Sequence, residues 1–236
     1  MKVYYIYHSG FAVETDNFKF IFDFYKTTNY NVGEFDLEKF LDGDKKIIVF
    51  SSHSHGDHFN PEILNWRRPD RNISYVLSDD INIKEKDENI HFIESNSSLE
   101  LDVIKIKTFD STDEGVSFYV ECDNYTFFHC GDLNWWYWPD DTLEEIQYMK
   151  NYYTEIVDNI QRRVDKKIDF LFYPVDPRLE DNMFLGVTYF IENINVDKII
   201  PMHFWNNFDV IKQLKEKIKG RKESVVYFDK NMSRIL

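Results

Sequence analysis

The sequence predicts an α/β fold in which two β-sheets stack and helices pack on their outer faces. Three observations lead there. Short strand-like runs crowd the first half of the chain, strand–helix alternation takes over after residue 142, and 236 residues that are 43% hydrophobic and 17% aromatic supply enough apolar side chains for a real core. A sheet face and a helix stripe are each apolar on one side, and two stacked sheets with helices outside cover both. No repeat, low-complexity tract or linker interrupts the chain, so residues 1–236 are read as a single domain.

The elements follow in order. "KVYYIYH" and "FAVET" flank Ser9-Gly10, and "FKFIFDF" follows the turn pair Asp16-Asn17, giving three short strands. Residues 35–41 suit a short helix, and "KIIVF" reads as a buried strand. Asn60 before Pro61 has the form of an N-cap with proline at the first helical position, opening a helix through Trp66. "ISYVLS", "IHFIE", "LELDVIKIKTF", "GVSFYVEC" and "YTFFHC" are further strands. In the third of these, residues 101–107 set Leu, Val and two Ile among polar neighbours, as in a half-buried strand. The charged stretch "DDINIKEKDEN", residues 79–89, is a surface loop. Thr142 and Glu145 have the spacing of a capping box, and Leu143, Ile146, Met149, Tyr153, Ile156, Ile160 and Val164 then recur every three or four residues, which predicts one long amphipathic helix. Strand 168–174, helix 183–193, strand 197–201, helix 208–219 and strand 224–228 complete the chain.

Charge narrows the partners. With 28 basic against 42 acidic residues the net charge is −14, which disfavours long nucleic acids and anionic membranes. A small anionic substrate stays compatible, because a local metal or arginine overrides the net field. A homo-oligomer is left open. A turn at Asp123-Asn124 sets Cys122 opposite Tyr125 and not opposite Cys130, so both cysteines are read as reduced core thiols. The first twenty residues have no leader-like pattern, and no window reaches transmembrane length; a cytoplasmic protein is the expectation.

The chemistry concentrates in "FSSHSHGDHFN", residues 50–60, which holds three of the seven histidines. On a loop leaving a buried strand, His53 and His55 can turn two imidazoles toward one ion. Asp57 adds a hard anionic oxygen, His58 another nitrogen, and Gly56 a tight backbone. Zinc and similar ions accept this nitrogen and oxygen mixture. A histidine-rich surface loop that binds nothing is the plain alternative, but this spacing directly after a buried strand favours a metal.

"HSHGDH" resembles the His-x-His-x-Asp-His motif of metallo-β-lactamase-fold hydrolases. "FFHCGDLN" is similar to the strand of that superfamily that ends in Gly-Asp, and "IIPMHFW" to the strand that delivers its last histidine ligand. "YHSGFAVETDNFKFIFDFY" resembles its opening strands, which lead to a buried aspartate, here Asp23. Within the superfamily the chain looks closest to the compact branch that includes ascorbate-6-phosphate lactonase. The resemblance implies a four-layer αββα sandwich with the site along one edge between the sheets. It implies one or two divalent ions, zinc first and manganese or iron as alternatives. His53 and His55 would serve the first ion, Asp57, His58 and His203 the second, and Asp132 would bridge them.

One family ligand has no counterpart. A further histidine is expected between the first cluster and the Gly-Asp strand, but the loop there reads "TFDSTDEGVSF". Asp113, or else Asp110 or water, would take the place, and a carboxylate shifts the first position toward harder ions such as manganese or iron. His129, three before Asp132, is read as a pocket histidine or as a core histidine bonded to backbone; His8 is read as structural or supporting.

"LNWWYWPDD" follows Asp132, and Trp135 and Trp136 are candidate walls for a substrate, with packing against the long helix as the alternative for at least one of the tryptophans. Asp176 and Arg178 are candidates to orient substrate, Arg178 by pairing with a carboxylate or phosphate, or else they form a salt bridge that fixes their loop. The implied activity is hydrolysis of a small-molecule ester, lactone or phosphoester, with Asp57 and Asp132 as catalytic residues. A phosphodiesterase or nuclease, or a metal-binding module with weak or no catalysis, are the competing functions.

Overall fold

Each of the two sheets has seven strands among the described residues. The computed structural model describes residues 1–26, 33–84 and 87–236, so residues 85–86 of the charged loop lie outside it. In the first sheet, Lys2–Tyr7 (β1), Gly10–Glu14 (β2) and Phe18–Phe22 (β3) form an antiparallel meander. Lys46–Ser51 (β4), Ile73–Ser78 (β5) and Ile90–Ile93 (β6) then add in parallel. In the second sheet, Ser98–Leu101 (β7), Ile104–Asp110 (β8), Val116–Cys122 (β9) and Tyr125–His129 (β10) are antiparallel. Ile168–Pro174 (β11), Val196–Met202 (β12) and Ser224–Val225 (β13) follow in parallel.

Strand alternation divides the core. Val3, Tyr5, Phe20, Phe22, Ile48 and Phe50 join one apolar cluster with Ile106, Phe118 and Phe127 of the facing sheet. Their neighbours Ile6, Ile21, Ile47 and Val49 point the other way and are covered by Phe40, Leu41, Ile63 and Trp66. Those four come from the short helix Leu37–Leu41 (α1) and a 3-10 turn at Pro61–Trp66. Leu143–Arg163 (α2), Leu185–Asn193 (α3) and Asp209–Lys217 (α4) contribute Tyr153, Ile156, Phe190, Ile211 and Leu214 to the larger cluster. The α2 capping box forms as expected, with Thr142 Oγ1 accepting from Glu145 N–H and the Glu145 carboxylate accepting from Thr142 N–H. The expected four-layer α/β sandwich is the architecture found.

Three expectations need correction, and one strand was not expected. The segment 99–109 is a hairpin and not one strand: the apolar phase slips between Val103 and Ile104, Asp102 turns at φ 56°, and Val103 is left 70% exposed. Residues 61–66 wind as a 3-10 turn, although the Asn60 cap is present. Strand 224–228 keeps only two residues, and a two-residue strand at Ser233–Arg234 (β14) pairs with β1. Its sequence is too short to carry a period.

The arrangement sends chemistry to one edge. β1, β3, β4, β10, β11 and β12 end there, followed respectively by His8, Asp23, His53, Asp132, Asp176 and His203. Two glycines from the facing sheet press on the loop after β4. A Cβ on Gly115 would stand 2.0 Å from the Ser52 carbonyl oxygen, and one on Gly131 would stand 2.8 Å from Ser52 Cβ. Both also have positive φ, +67° and +54°. Gly115→Ala is therefore expected to lower the free energy of unfolding by about 2–4 kcal/mol through clash and strain. Denaturant titration measures it, and an unshifted midpoint would show that the loop does not need this close approach.

Candidate metal centre

The strand-end residues converge on a set of buried imidazoles and carboxylates. Asp132 stands between two groups: its Oδ1 is 3.2 Å from His58 Nε2 and 3.5 Å from His203 Nε2, while its Oδ2 is 3.8 Å from His53 Nε2. His53 Nε2 in turn lies 3.1 Å from His55 Nδ1, and His55 Nδ1 lies 3.8 Å from Asp113 Oδ2. The ligand-capable atoms of His53, His55 and Asp113 all fall within 4.8 Å of one another, as do those of His53, His58 and Asp132, and those of His8, Asp57, His58 and His203.

A second layer aims the rings. Asp23 is fully buried; it accepts from Ser52 N–H at 2.8 Å, from Ser52 Oγ at 2.7 Å and from His58 Nδ1 at 2.7 Å. Asp176, also fully buried, does the same for His203 Nδ1 at 3.0 Å. A carboxylate only accepts, so each ring donates through Nδ1 and turns Nε2 to the centre. That is the carboxylate–histidine arrangement that fixes tautomer and raises ligand basicity at metal sites.

The residues fit a cation on their own chemistry. His58 Nε2 and Asp132 Oδ1 are buried and lack any hydrogen-bond partner, yet they face each other. Unpaired buried polar atoms are costly, and here they point at a shared volume. The electrostatics agree. Burial pulls His203 down, but the carboxylates of Asp132 and Asp176 outweigh it and push the ring up to about 10. Burial would raise Asp132, yet His58, His203 and His53 hold it well below the carboxylate range. At His53 burial dominates, and with His58 nearby it brings the ring down to about 4. Asp113 is raised, by burial first and by Asp132 second. Negative charge in this centre wants a positive partner.

The other candidates sort clearly. Asp110 accepts from Asn96 Nδ2 at 3.1 Å, away from the cluster, so of the two aspartates it is Asp113 that the loop presents; Glu114 Oε2 of the same loop lies 3.6 Å from His55 Nε2. Trp136 and Arg178 line a cleft of about 250 Å³ over the centre, together with Trp138 and Trp205. Trp135 does not line it: its ring packs on Tyr153 of α2 and Tyr189 of α3, at 5.7 and 5.9 Å, so its assignment to substrate is corrected to packing. Asp176 is likewise corrected, because its oxygens are occupied by His203 and by the N–H groups of Arg178, and none faces the cleft. His129 takes the backbone-bonded option, with Nε2 donating to the Ser9 carbonyl at 2.9 Å and Nδ1 accepting from Gly131 N–H. One residue lining the cleft was missed, Trp205, which follows His203 closely; His8, expected to be structural or supporting, follows β1 at the same edge where the other ligand-capable residues follow strands. Its position before the Ser9-Gly10 turn was the available signal.

A family model described as "Beta-lactamase superfamily domain" matches residues 2–203. The chain belongs to this superfamily. A search of curated proteins finds no match. Among solved structures, this β-lactamase superfamily member is similar to Igni18, a novel metallo hydrolase from Ignicoccus hospitalis, with TM-score 0.66 and 17% identity over 99% of this chain and 97% of that one. It is similar to the isothiocyanate hydrolase from Delia radicum gut bacteria, with TM-score 0.60 and 13% identity over 100% and 99% of the two chains. The diiron β-hydroxylase CmlA from Streptomyces venezuelae gives TM-score 0.60 and 11% identity over 96% of this chain and 52% of that one. At these identities the likeness is one of fold.

The supporting carboxylates generate a prediction. Asp176→Asn keeps the shape behind His203 but removes the charge, and is expected to weaken the tighter-bound divalent ion about 10–100-fold. Competition against a chromophoric chelator reads this directly; an unchanged affinity would mean that Asp176 only braces Arg178.

Proposed function

We propose that this superfamily member is a metal-dependent hydrolase of a small ester, lactone or phosphoester. The observation that carries the reading is the pair of unpartnered buried atoms, His58 Nε2 and Asp132 Oδ1, inside a ring of ligand-capable residues with buried aspartates behind them. His53, His55 and Asp113 would hold a first divalent ion, and Asp57, His58 and His203 a second. Asp132, with one oxygen toward each group, would lie between them. The mixture of imidazole and carboxylate suits zinc first, and manganese or iron(II) where oxygen ligands dominate. Such ions supply Lewis acidity and lower the pKa of water from 15.7 toward ~7.

The chain's own groups divide the remaining work. Asp57 is partly open to the cleft and held strongly acidic: burial opposes ionisation, but His8 and His58 more than offset it. It is therefore a carboxylate at neutral pH, placed to orient the attacking water. Arg178 spends Nε and Nη2 on Asp176 and lines the cleft with the rest of its guanidinium, a seat for a carboxylate or phosphate on the substrate. Trp136 and Trp138, stacked with centroids 5.8 Å apart, form an apolar wall that suits a ring or chain beside the scissile bond. One guanidinium in a cleft lined by three aspartates favours a small substrate over a polynucleotide.

Metal content and turnover on a panel of lactones, esters and phosphodiesters test the reading together. Purified protein with no bound divalent ion, even after soaking in zinc or manganese, would end it. Asp57→Ala is expected to lower kcat about 10²–10⁴-fold on any substrate found, with an unchanged far-ultraviolet circular dichroism spectrum; full turnover would remove Asp57 from the reaction. Asp113→Ala is expected to lose one of the bound ions while Asp110→Ala keeps the wild-type number, and equal stoichiometry in both variants would show that Asp113 is not a ligand.

A further inference from the structure

In the hydrolase reading as it stands, His8 only helps to hold Asp57 ionised. Its ring is fully buried, and neither nitrogen has a hydrogen-bond partner. Both rings that only need aiming, His58 and His203, have a short contact to a buried aspartate through Nδ1, at 2.7 and 3.0 Å. His8 has no such brace. Instead it faces the ligand set itself. Its Nε2 is 3.3 Å from Asp57 Oδ2, its ring centroid is 4.2 Å from that of His203, and one atom each from His8, Asp57, His58 and His203 fit within 4.8 Å of one another. Four donors at about 2.0–2.2 Å around a tetrahedral ion stand roughly 3.3–3.6 Å apart, so the separation of His8 from Asp57 matches two ligands of one ion.

The backbone is built to put the ring there. His8 sits at φ 55°, a left-handed conformation unusual for histidine, as does His203 at φ 61°. The carbonyl of His8 accepts from His203 N–H at 3.2 Å, tying the ends of β1 and β12 across the two sheets. Trp205, its ring 4.1 Å from that of His8, packs on the same histidine. The ring is thus held against the second group of ligands with no exposed surface.

We infer that His8 is a protein ligand of the second ion, alongside Asp57, His58 and His203; the assignment rests on the metal-dependent reading above. Its consequence is a division of labour between the two positions. With His8 the inner ion is enclosed by four protein ligands before Asp132 is considered, the mark of a closed structural position. The outer one is formed by His53 with half-exposed His55 and Asp113 and keeps open coordination, the mark of a catalytic position.

The experiment loads the metal-free full-length protein with one equivalent of zinc and counts imidazoles by X-ray absorption. Three imidazoles with oxygen completing the shell are expected; two would overturn the assignment while leaving a metal protein in place. Failure of the protein to bind zinc at all would remove the hydrolase reading as well. In parallel, His8→Ala and His8→Gln are titrated with zinc. Both are expected to weaken the tighter ion by more than the roughly 10–100-fold that loss of a supporting partner costs. Recovery of wild-type affinity in His8→Gln would show that the ring merely supports Asp57, and would also overturn the assignment. Should neither variant fold, the imidazole count on the unaltered protein decides.

Discussion

The centre hangs on a carboxylate that never meets water. Asp23 is buried completely, and an ion of that size loses several kcal/mol of effective solvation in such a position. Contacts to Ser52 N–H, Ser52 Oγ and His58 Nδ1 offset the loss, and they fix the loop after β4 and the direction of its last histidine at once. His129 lies beside the same carboxylate, its Nδ1 3.8 Å away, and its ring stacks on Phe22 with planes 6° apart. The other edge of that ring holds the Ser9 carbonyl, directly after His8. One buried charge therefore connects three strand ends, and residues behind the centre set the spacing of the imidazoles and carboxylates that line it.

Strain gathers at the same edge. His8, Asp23, His203 and Trp205 all have positive φ, a conformation that costs L-residues about 1–2 kcal/mol each. His8, Asp23 and His203 each directly follow a strand and have buried side chains, while Trp205, two residues after His203, lines the cleft. The fold tolerates this because the strands behind are fully packed: Phe22, Phe50, Phe172 and Met202 have no exposed surface. Rigidity in the apolar layer is what allows an unfavourable backbone at its rim.

Much of this was legible in the chain. His53, His55, Asp57 and His58 are adjacent, and the strand ends carrying Asp132 and His203 have enough apolar residues before them to be recognised. The choice of Asp113 over Asp110 was also within reach, since only Asp113 lies beyond the strand that pairs with β9. His8 was not legible as a member of the ligand group, because its neighbours come from β4 and β12, and no period within one strand reports a meeting across two sheets. The two-residue strand β14 and the turn at Asp102 escaped for a different reason: both are decided by pairing partners and by one residue's φ, and neither leaves an apolar repeat. Trp135 and Trp136 show the limit most plainly, since adjacent tryptophans of identical chemistry go to a helix interface and to the cleft.

Trp136 joins two functions that are usually separable. Its Nε1–H donates to the backbone carbonyl of Asp132 at 3.0 Å, its ring meets His203 edge-on at 5.5 Å, and its face belongs to the aromatic wall of the cleft. The wall of the cleft is thus bonded to the segment that carries Asp132. A change at Trp136 therefore reaches the centre beneath it directly, whereas neighbouring Trp138 touches it at one remove, by stacking on Trp136 and by lying under the Arg178 guanidinium, 5.3 Å from its ring.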